Sequence, residues 1–264
     1  MKRGFIKESC IRAGDSYTNN FGDEFIVIEY LSSSVKTGGV RILFKGTGST
    51  RLCSGGDLLK GEVKDLMKPT VCGVGYIGQG QYSASENGLK PCYYLHWHNM
   101  LKRCYEKKGG HNTSYAECSV SPEWLNLQEF STWCTSQPLY NKTVLGRRTA
   151  LDKDLLIPNN KVYSKEACLI IPEEINKALV GKRKTGKDRG LPCGIFKHGK
   201  KFITYRDSDK RFDSFSTLED AARDYQQKKE GRIKGLLLKY GEYLDSVTIH
   251  ALQEFTIKSR SIYN

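Results

Sequence analysis

The sequence predicts an α+β protein: a small N-terminal β domain, a central ββα domain with two packing helices, and a C-terminal three-stranded sheet plus helix. Three observations carry that expectation. Residues 1–90 read as strands and turns, with β-former runs separated by glycine pairs. Two apolar stripes at helical spacing open residues 91–180. After a basic linker at 181–190, three short β-former runs and a long helical pattern fill 191–264. A chain of 264 residues with 38% hydrophobic content is better served by two or three small cores than by one.

In the first part, EFIVIEY (24–30) is dense in β-formers, and GVRILFK (39–45) alternates Val40, Ile42 and Phe44 with Arg41, Leu43 and Lys45. That alternation suits a sheet with one buried face, and Gly38-Gly39, Gly46 to Gly48 and Gly55-Gly56 supply turns. GVGYIGQG (73–80) reads as a turn-rich connector. The tripeptides of a GIY-YIG nuclease need a spacer between them, and a phosphate loop needs Gly-Lys-Ser/Thr leading into a helix.

In the middle part, YYLHWHNMLKRCY (93–105) places Tyr94, Trp97, Met100, Leu101 and Cys104 on a core-facing helical stripe. Ser121-Pro122-Glu123 signals a second helix, a capping serine followed by a first-turn proline, with Trp124, Leu127, Phe130 and Trp133 or Cys134 buried. LDKDLLI (151–157), the turn Pro158-Asn159-Asn160, the strand CLII (168–171) and a helix from Pro172 complete a ββα outline. The last part reads as strands near 193–197, 200–206 and 211–216, then a long helix from Thr217. Leu218, Ala221, Ala222 and Tyr225 share one face of that helix, and Glu219 and Asp220 complement its dipole. A final amphipathic helix is expected around 242–255.

Charge speaks to partners. Forty-two Lys and Arg stand against 29 Asp and Glu, a net charge of +13. From Gly181 onward 19 basic residues face 11 acidic ones, an excess of +8. A polyanion is the expected partner. No helix pairs a Lys/Arg face with a Trp/Leu face, no run approaches a membrane span, and residues 1–30 hold no signal-peptide core, so a soluble cytoplasmic protein is expected. The nine cysteines include no C-x-x-C pair. Cys104, Cys118, Cys134 and Cys168 are expected as small buried side chains, with a metal site assembled in three dimensions as the alternative. Aromatic stacking motifs for single strands are missing from the pattern, which favours duplex DNA over RNA.

Two segments carry resemblances. W-x-x-M-L-x-R-C-Y (97–105), C-x-V-x-x-x-W (118–124), L-D-K-D (151–154), N-x-x-Y-S (160–164), C-L-I-I-P (168–172) and Asn176 spread over about eighty residues. On these, the central part resembles phage and prophage HNH-type homing endonucleases. Through GDEF (22–25), VRILFKGTG (40–48) and GVGYIG (73–78), the first part is similar to the leader domain of the same proteins. Gly194-Ile195, KKFIT (200–204) and F-x-S-F-S-T-x-E-D-A-A-R-D-Y (212–225) make the last part resemble the ethylene-response-factor (APETALA-type) DNA-binding domain. The chain departs from that pattern at Phe202, where the family has tryptophan, and at Asp213, where it often has glycine. The resemblance implies a three-stranded sheet lying in the DNA major groove, and a gene carried by a phage or mobile element in a bacterial host.

The residues themselves allow the same reading. A twisted sheet presenting Lys200, Thr204, Arg206, Lys210 and Arg211 offers donors to guanine edges and phosphates, the alternative being a lysine-rich sheet edge that resists aggregation. Lys182, Arg183, Lys184, Lys187 and Arg189 form either a phosphate-tracking or minor-groove arm or a charged linker.

HNH chemistry needs a divalent metal, Mg²⁺ or another, and a histidine base. The resemblance puts Asp152 and Asn176 in the metal roles and Asn160, or Asn159, in the loop role that orients the base, with Asp154 assisting. Asp152, Lys153 and Asn160 are then the catalytic set, but Lys153 stands where the strongest motifs have histidine. A protonated lysine stabilises phosphate charge and cannot take a proton. His96, His98 and His111 either fold back into the site or pack locally. Two functions stay open. One is a metal-dependent, sequence-specific DNA endonuclease. The other is a catalytically inactive, domesticated relative acting as a transcriptional regulator, for which a palindromic target would call for a homodimer.

Overall fold

The computed structural model describes residues 10–31, 39–106, 115, 117–179, 190–205 and 211–261, with side chains as far as residue 255. Its architecture is mixed α+β, with several small sheets and six α-helices among the described residues. Two compact units divide the chain: residues 1–84 with 126–128, and residues 85–125 with 129–264.

The first unit is an antiparallel meander of β1 (Ser16–Thr18), β2 (Glu24–Tyr30), β3 (Val40–Phe44) and β4 (Thr50–Cys53). The alternation seen in 39–45 is realised in β3, whose Val40, Ile42 and Phe44 are buried. They meet Phe25, Val27, Cys53, Leu58 and Val63 in one small core. A register shift between Val27 and Glu29 leaves Ile28 without a partner on β3 and puts Tyr30 opposite Val40. Helix α1 (Gly55–Lys60) starts where the Ser54 hydroxyl accepts the Asp57 N–H and stops at Gly61, whose φ of 71° favours glycine. Gly78 and Gly80 allow close approach, because a Cβ at either position would overlap the side chains of Asn126 or Gln128. The Gln128 amide donates to the carbonyls of Ile77 and Tyr82.

In the second unit, α2 (Cys92–Tyr105) buries Tyr94, Trp97, Met100 and Leu101 along its predicted stripe. The Trp97 indole N–H donates to the Trp124 carbonyl at 2.7 Å, so this fully buried ring leaves no polar atom unpaired. The second expected helix is interrupted. Residues Pro122–Leu125 form a 3₁₀ turn, and α3 (Leu127–Ser136) begins anew. The Asn126 side chain accepts the Gln128 N–H and makes the break a second helix start. Strands β5 (Ser119–Val120) and β8 (Val162–Tyr163) pair in parallel. Strands β6 (Thr143–Val144), β7 (Arg147–Asp152) and β9 (Leu169–Pro172) form an antiparallel sheet, and α4 (Glu173–Leu179) follows β9 directly.

Strands β10 (Ile195–His198), β11 (Lys201–Tyr205) and β12 (Phe212–Phe215) form the last antiparallel sheet. Helix α5 (Leu218–Tyr240) packs on it through Ala221, Ala222, Leu218 and Tyr225, with Thr217 as its cap. Its far half buries Ile233, Leu236 and Tyr240. There the Tyr240 hydroxyl (2.5 Å) and Lys239 ammonium (2.7 Å) donate to Glu174 of α4, and Lys229 donates to the Leu179 carbonyl. Helix α6 (Ser246–Ser261) closes the chain. Among the described residues no helix is long and apolar enough to cross a membrane.

Gly194 leads into β10 with φ of 80°, and a Cβ there would overlap the Tyr225 ring. Gly194→Ala combines left-handed strain with overpacking, an expected loss of about 2–4 kcal/mol. Hydrogen exchange of the β10 and β11 amides measures it; unchanged protection would contradict the close approach described.

Candidate nucleic-acid interface

The segment from Asp152 to Tyr163 gathers the predicted catalytic set, and the geometry turns those side chains inward. Asp152 is 5% exposed, and its Oδ2 accepts the N–H groups of Asp154 (3.0 Å) and Leu155 (2.8 Å). Burial pushes its carboxyl above the usual range against the help of the Leu155 N–H, and the neighbouring Asp154 adds to the rise. Lys153 is 7% exposed; its ammonium donates to Asp154 (2.6 Å) and to the Asn160 carbonyl (2.5 Å), and lies 5.9 Å from the Tyr163 ring centre. Asn160 bridges the loop, donating to the carbonyls of Lys153 and Val162 and accepting the Val162 N–H. These polar groups close the loop. They do what buried donors and acceptors must, which is to find partners.

Asn176 lies half-buried on α4, which packs against β7 and β9. As arranged, the set is a poor fit to a divalent ion. One Asp152 oxygen already serves two backbone N–H groups, burial favours its neutral form, and the Lys153 ammonium is a neighbour. Among the described residues no group of three or more His, Cys, Asp and Glu comes together around a point. His98 stacks on Tyr94, with ring centres 5.8 Å apart, and burial lowers its pKa, aided by Lys90 and Lys102. The His96 Nε2 is buried without a hydrogen-bond partner, and burial, then Arg103, lowers its pKa. His111 lies outside the described residues. Cys53, Cys118, Cys134 and Cys168 are buried, and burial holds the half-buried Cys104 thiol up at about 11.

The β10–β12 sheet has two chemically different faces. Strand register aligns Ile195 with Thr204 and Thr204 with Asp213, and likewise Phe202 with Phe215. Ile195, Phe202 and Phe215 pack against α5. Thr204 shares this inner face and is fully buried. Its hydroxyl donates to Asp224 and accepts from Lys228 at 2.8 Å, and Lys228 also donates to Asp213 and Asp224, each at 2.6 Å. Burial opposes the Lys228 charge, but the bonds to Asp213 and Asp224 outweigh it and raise the pKa. Thr204 is therefore a correction to the sequence reading. It points at the helix, not toward a ligand, because the β11 alternation places it with Phe202.

The outer face carries Phe196, His198, Lys201, Ile203, Tyr205, Phe212 and Ser214, by the same alternation and register. Lys200 is exposed in the hairpin turn, and Arg211 is exposed just before β12. Arg206 and Lys210, with Lys182, Arg183, Lys184, Lys187 and Arg189, lie outside the described residues. Sequence reasoning missed the rings. The period-2 spacing of Phe196 with His198, and the hairpin pairing of Tyr205 with Phe212, was the signal that would have found them. Compared with known protein families, curated proteins and solved structures, the chain matches none.

The buried Asp152 carboxyl makes stability depend on pH with a definite sign. Its raised pKa lets the folded chain keep a proton that the unfolded chain loses, so stability falls as pH climbs from the ordinary carboxylate value through the folded one. Asp152→Asn retains an acceptor oxygen without charge. It is expected to remove that decline and to be the more stable at neutral pH. Asp152→Ala leaves two N–H groups without their acceptor and is expected to lose roughly 1–3 kcal/mol. Thermal melts from pH 3 to 8 read both, and an Asn variant with an unaltered pH profile would refute the assignment.

Proposed function

We propose that this chain is a sequence-specific double-stranded-DNA-binding protein, acting as a transcriptional regulator, with its C-terminal sheet as the reading surface. The observation that carries the reading is the division of charge across the β10–β12 sheet. Lys228 neutralises Asp213 and Asp224 on the inner side, and the described outer face holds no carboxylate. Lys200, Lys201 and Arg211 are exposed on that face or at its rim. Exposed cations on a sheet neutralise phosphates, and the chain's net +13 adds long-range attraction. The commitment of Asp152, Lys153 and Asn160 to their own loop supports a regulator over a nuclease.

One observation favours metal-dependent cleavage as a second reading: β7, its polar loop, β9 and α4 follow in the order the nuclease resemblance requires, with Asp152 ending β7. Incubation with DNA flanking the chain's own gene, with Mg²⁺, Mn²⁺ or EDTA, separates the two. A footprint without cleavage under any metal is the expected result. Metal-dependent nicks at one position, abolished by Asp152→Ala, would install the endonuclease instead.

Affinity is expected to fall steeply with salt, and Lys201→Ala and Arg211→Ala are each expected to lower the log–log salt slope by about 1. A flat salt response in a fluorescence titration would remove DNA as the partner.

A further inference from the structure

The described outer face of the β10–β12 sheet carries, beside Lys201 and Arg211, groups that hydrogen-bond reading of duplex base edges does not use. Its chief feature is a run of rings. Phe196 and Tyr205 meet edge to face at 5.3 Å, Tyr205 and Phe212 at 6.2 Å, and His198 lies 5.5 Å from Phe212. Ile203, on the same face and paired with Phe196, is 4% exposed, whereas Phe212 is 44% exposed. His198, Lys200, Lys201 and Arg211 are exposed on the face or its rim. The face therefore offers both exposed aromatic surface and cations.

We propose that this face takes an unpaired base of DNA against the Phe212 ring, with the flanking phosphates on Lys201 and Arg211, so that locally opened DNA is the preferred ligand. The inference rests on the DNA-binding reading above and refines its ligand. A closed duplex offers a ring only base edges and thymine methyls. An unstacked base offers a whole π-face, and stacking on aromatic side chains combined with phosphate neutralisation is how opened strands are held. The cationic rim is complementary to DNA and repels a second copy of this basic chain.

The test is fluorescence anisotropy with a labelled duplex and with the same duplex carrying a short central bubble of mismatches. Wild-type protein is expected to bind the bubble roughly 10-fold more tightly, the effect of one stacked base. Phe212→Ala and Phe212→Leu, the latter keeping apolar bulk, are expected to erase that preference. The salt slope is expected to stay unchanged, because neither variant removes a charge, and the readout is the ratio of bubble to duplex affinity. Equal affinity of wild-type protein for bubble and duplex overturns the inference, as does a preference that survives both variants. Duplex binding without bubble preference leaves the DNA-binding reading standing, whereas binding to neither DNA removes both. A dimer in sedimentation that Phe212→Ala dissociates would assign the face to a second copy and also overturn it.

Discussion

Helix α5 is buried along two stretches of one continuous rod, and the placement of the outer sheet follows from that double burial. Toward its start, Ala221 and Ala222 are small enough for the β10–β12 sheet to approach the helix closely. Toward its end, the larger Ile233, Leu236 and Tyr240 are buried, and Glu174 of α4 binds Tyr240 and Lys239. A helix of 23 residues is about 35 Å long. The sheet is consequently carried on a strut anchored at α4, and its outer face is oriented by packing rather than by a loose tether. The Lys228 cluster midway along the helix adds specificity of position, since Thr204, Asp213 and Asp224 all converge on one ammonium. A half-buried polar set of this kind tolerates few alternative registers, because a slip by one residue would turn Thr204 outward and bring Ile203 to the cation.

The same rule governs the loop after β7. Residues that look reactive in the sequence are there the partners of nearby backbone. Asp152 holds two N–H groups, Asn160 holds one N–H and two carbonyls, and Lys153 holds a carbonyl and a carboxylate. An irregular segment of about ten residues cannot satisfy its own backbone through a sheet ladder, so polar side chains do it. Activity would require some of these groups to be released, at the cost of leaving backbone donors unpaired in a buried place.

Much of the fold was legible from periodicity. The stripe of α2, the alternation of β3, the apolar face of α5 and the cap at Thr217 each follow from short-range rules. The break at Asn126 was less visible, because Trp124, Leu127 and Phe130 keep helical spacing across it and only the side-chain cap interrupts the pattern. The face of Thr204 was illegible for a different reason. In Phe202-Ile203-Thr204-Tyr205 both alternating sets contain apolar residues, so period 2 offers no decision. Contact with α5 decides it. Asp152 likewise sits beside Lys153 and Asp154 in a charged string, and only the fold buries it. Thr204 and Asp152 were thus misjudged by direction, since direction is a tertiary property.

Residues 126–128 belong with the first unit although the chain on both sides of them belongs with the second. The polypeptide therefore crosses from one compact unit to the other three times, and no single cut separates them. A piece ending at residue 84 would lose the Gln128 amide that holds the Ile77 and Tyr82 carbonyls, and a piece beginning at residue 85 would keep that amide with its acceptors gone. The two units alternate along the sequence, and a fusion that carried the first of them elsewhere would have to carry residues 126–128 along.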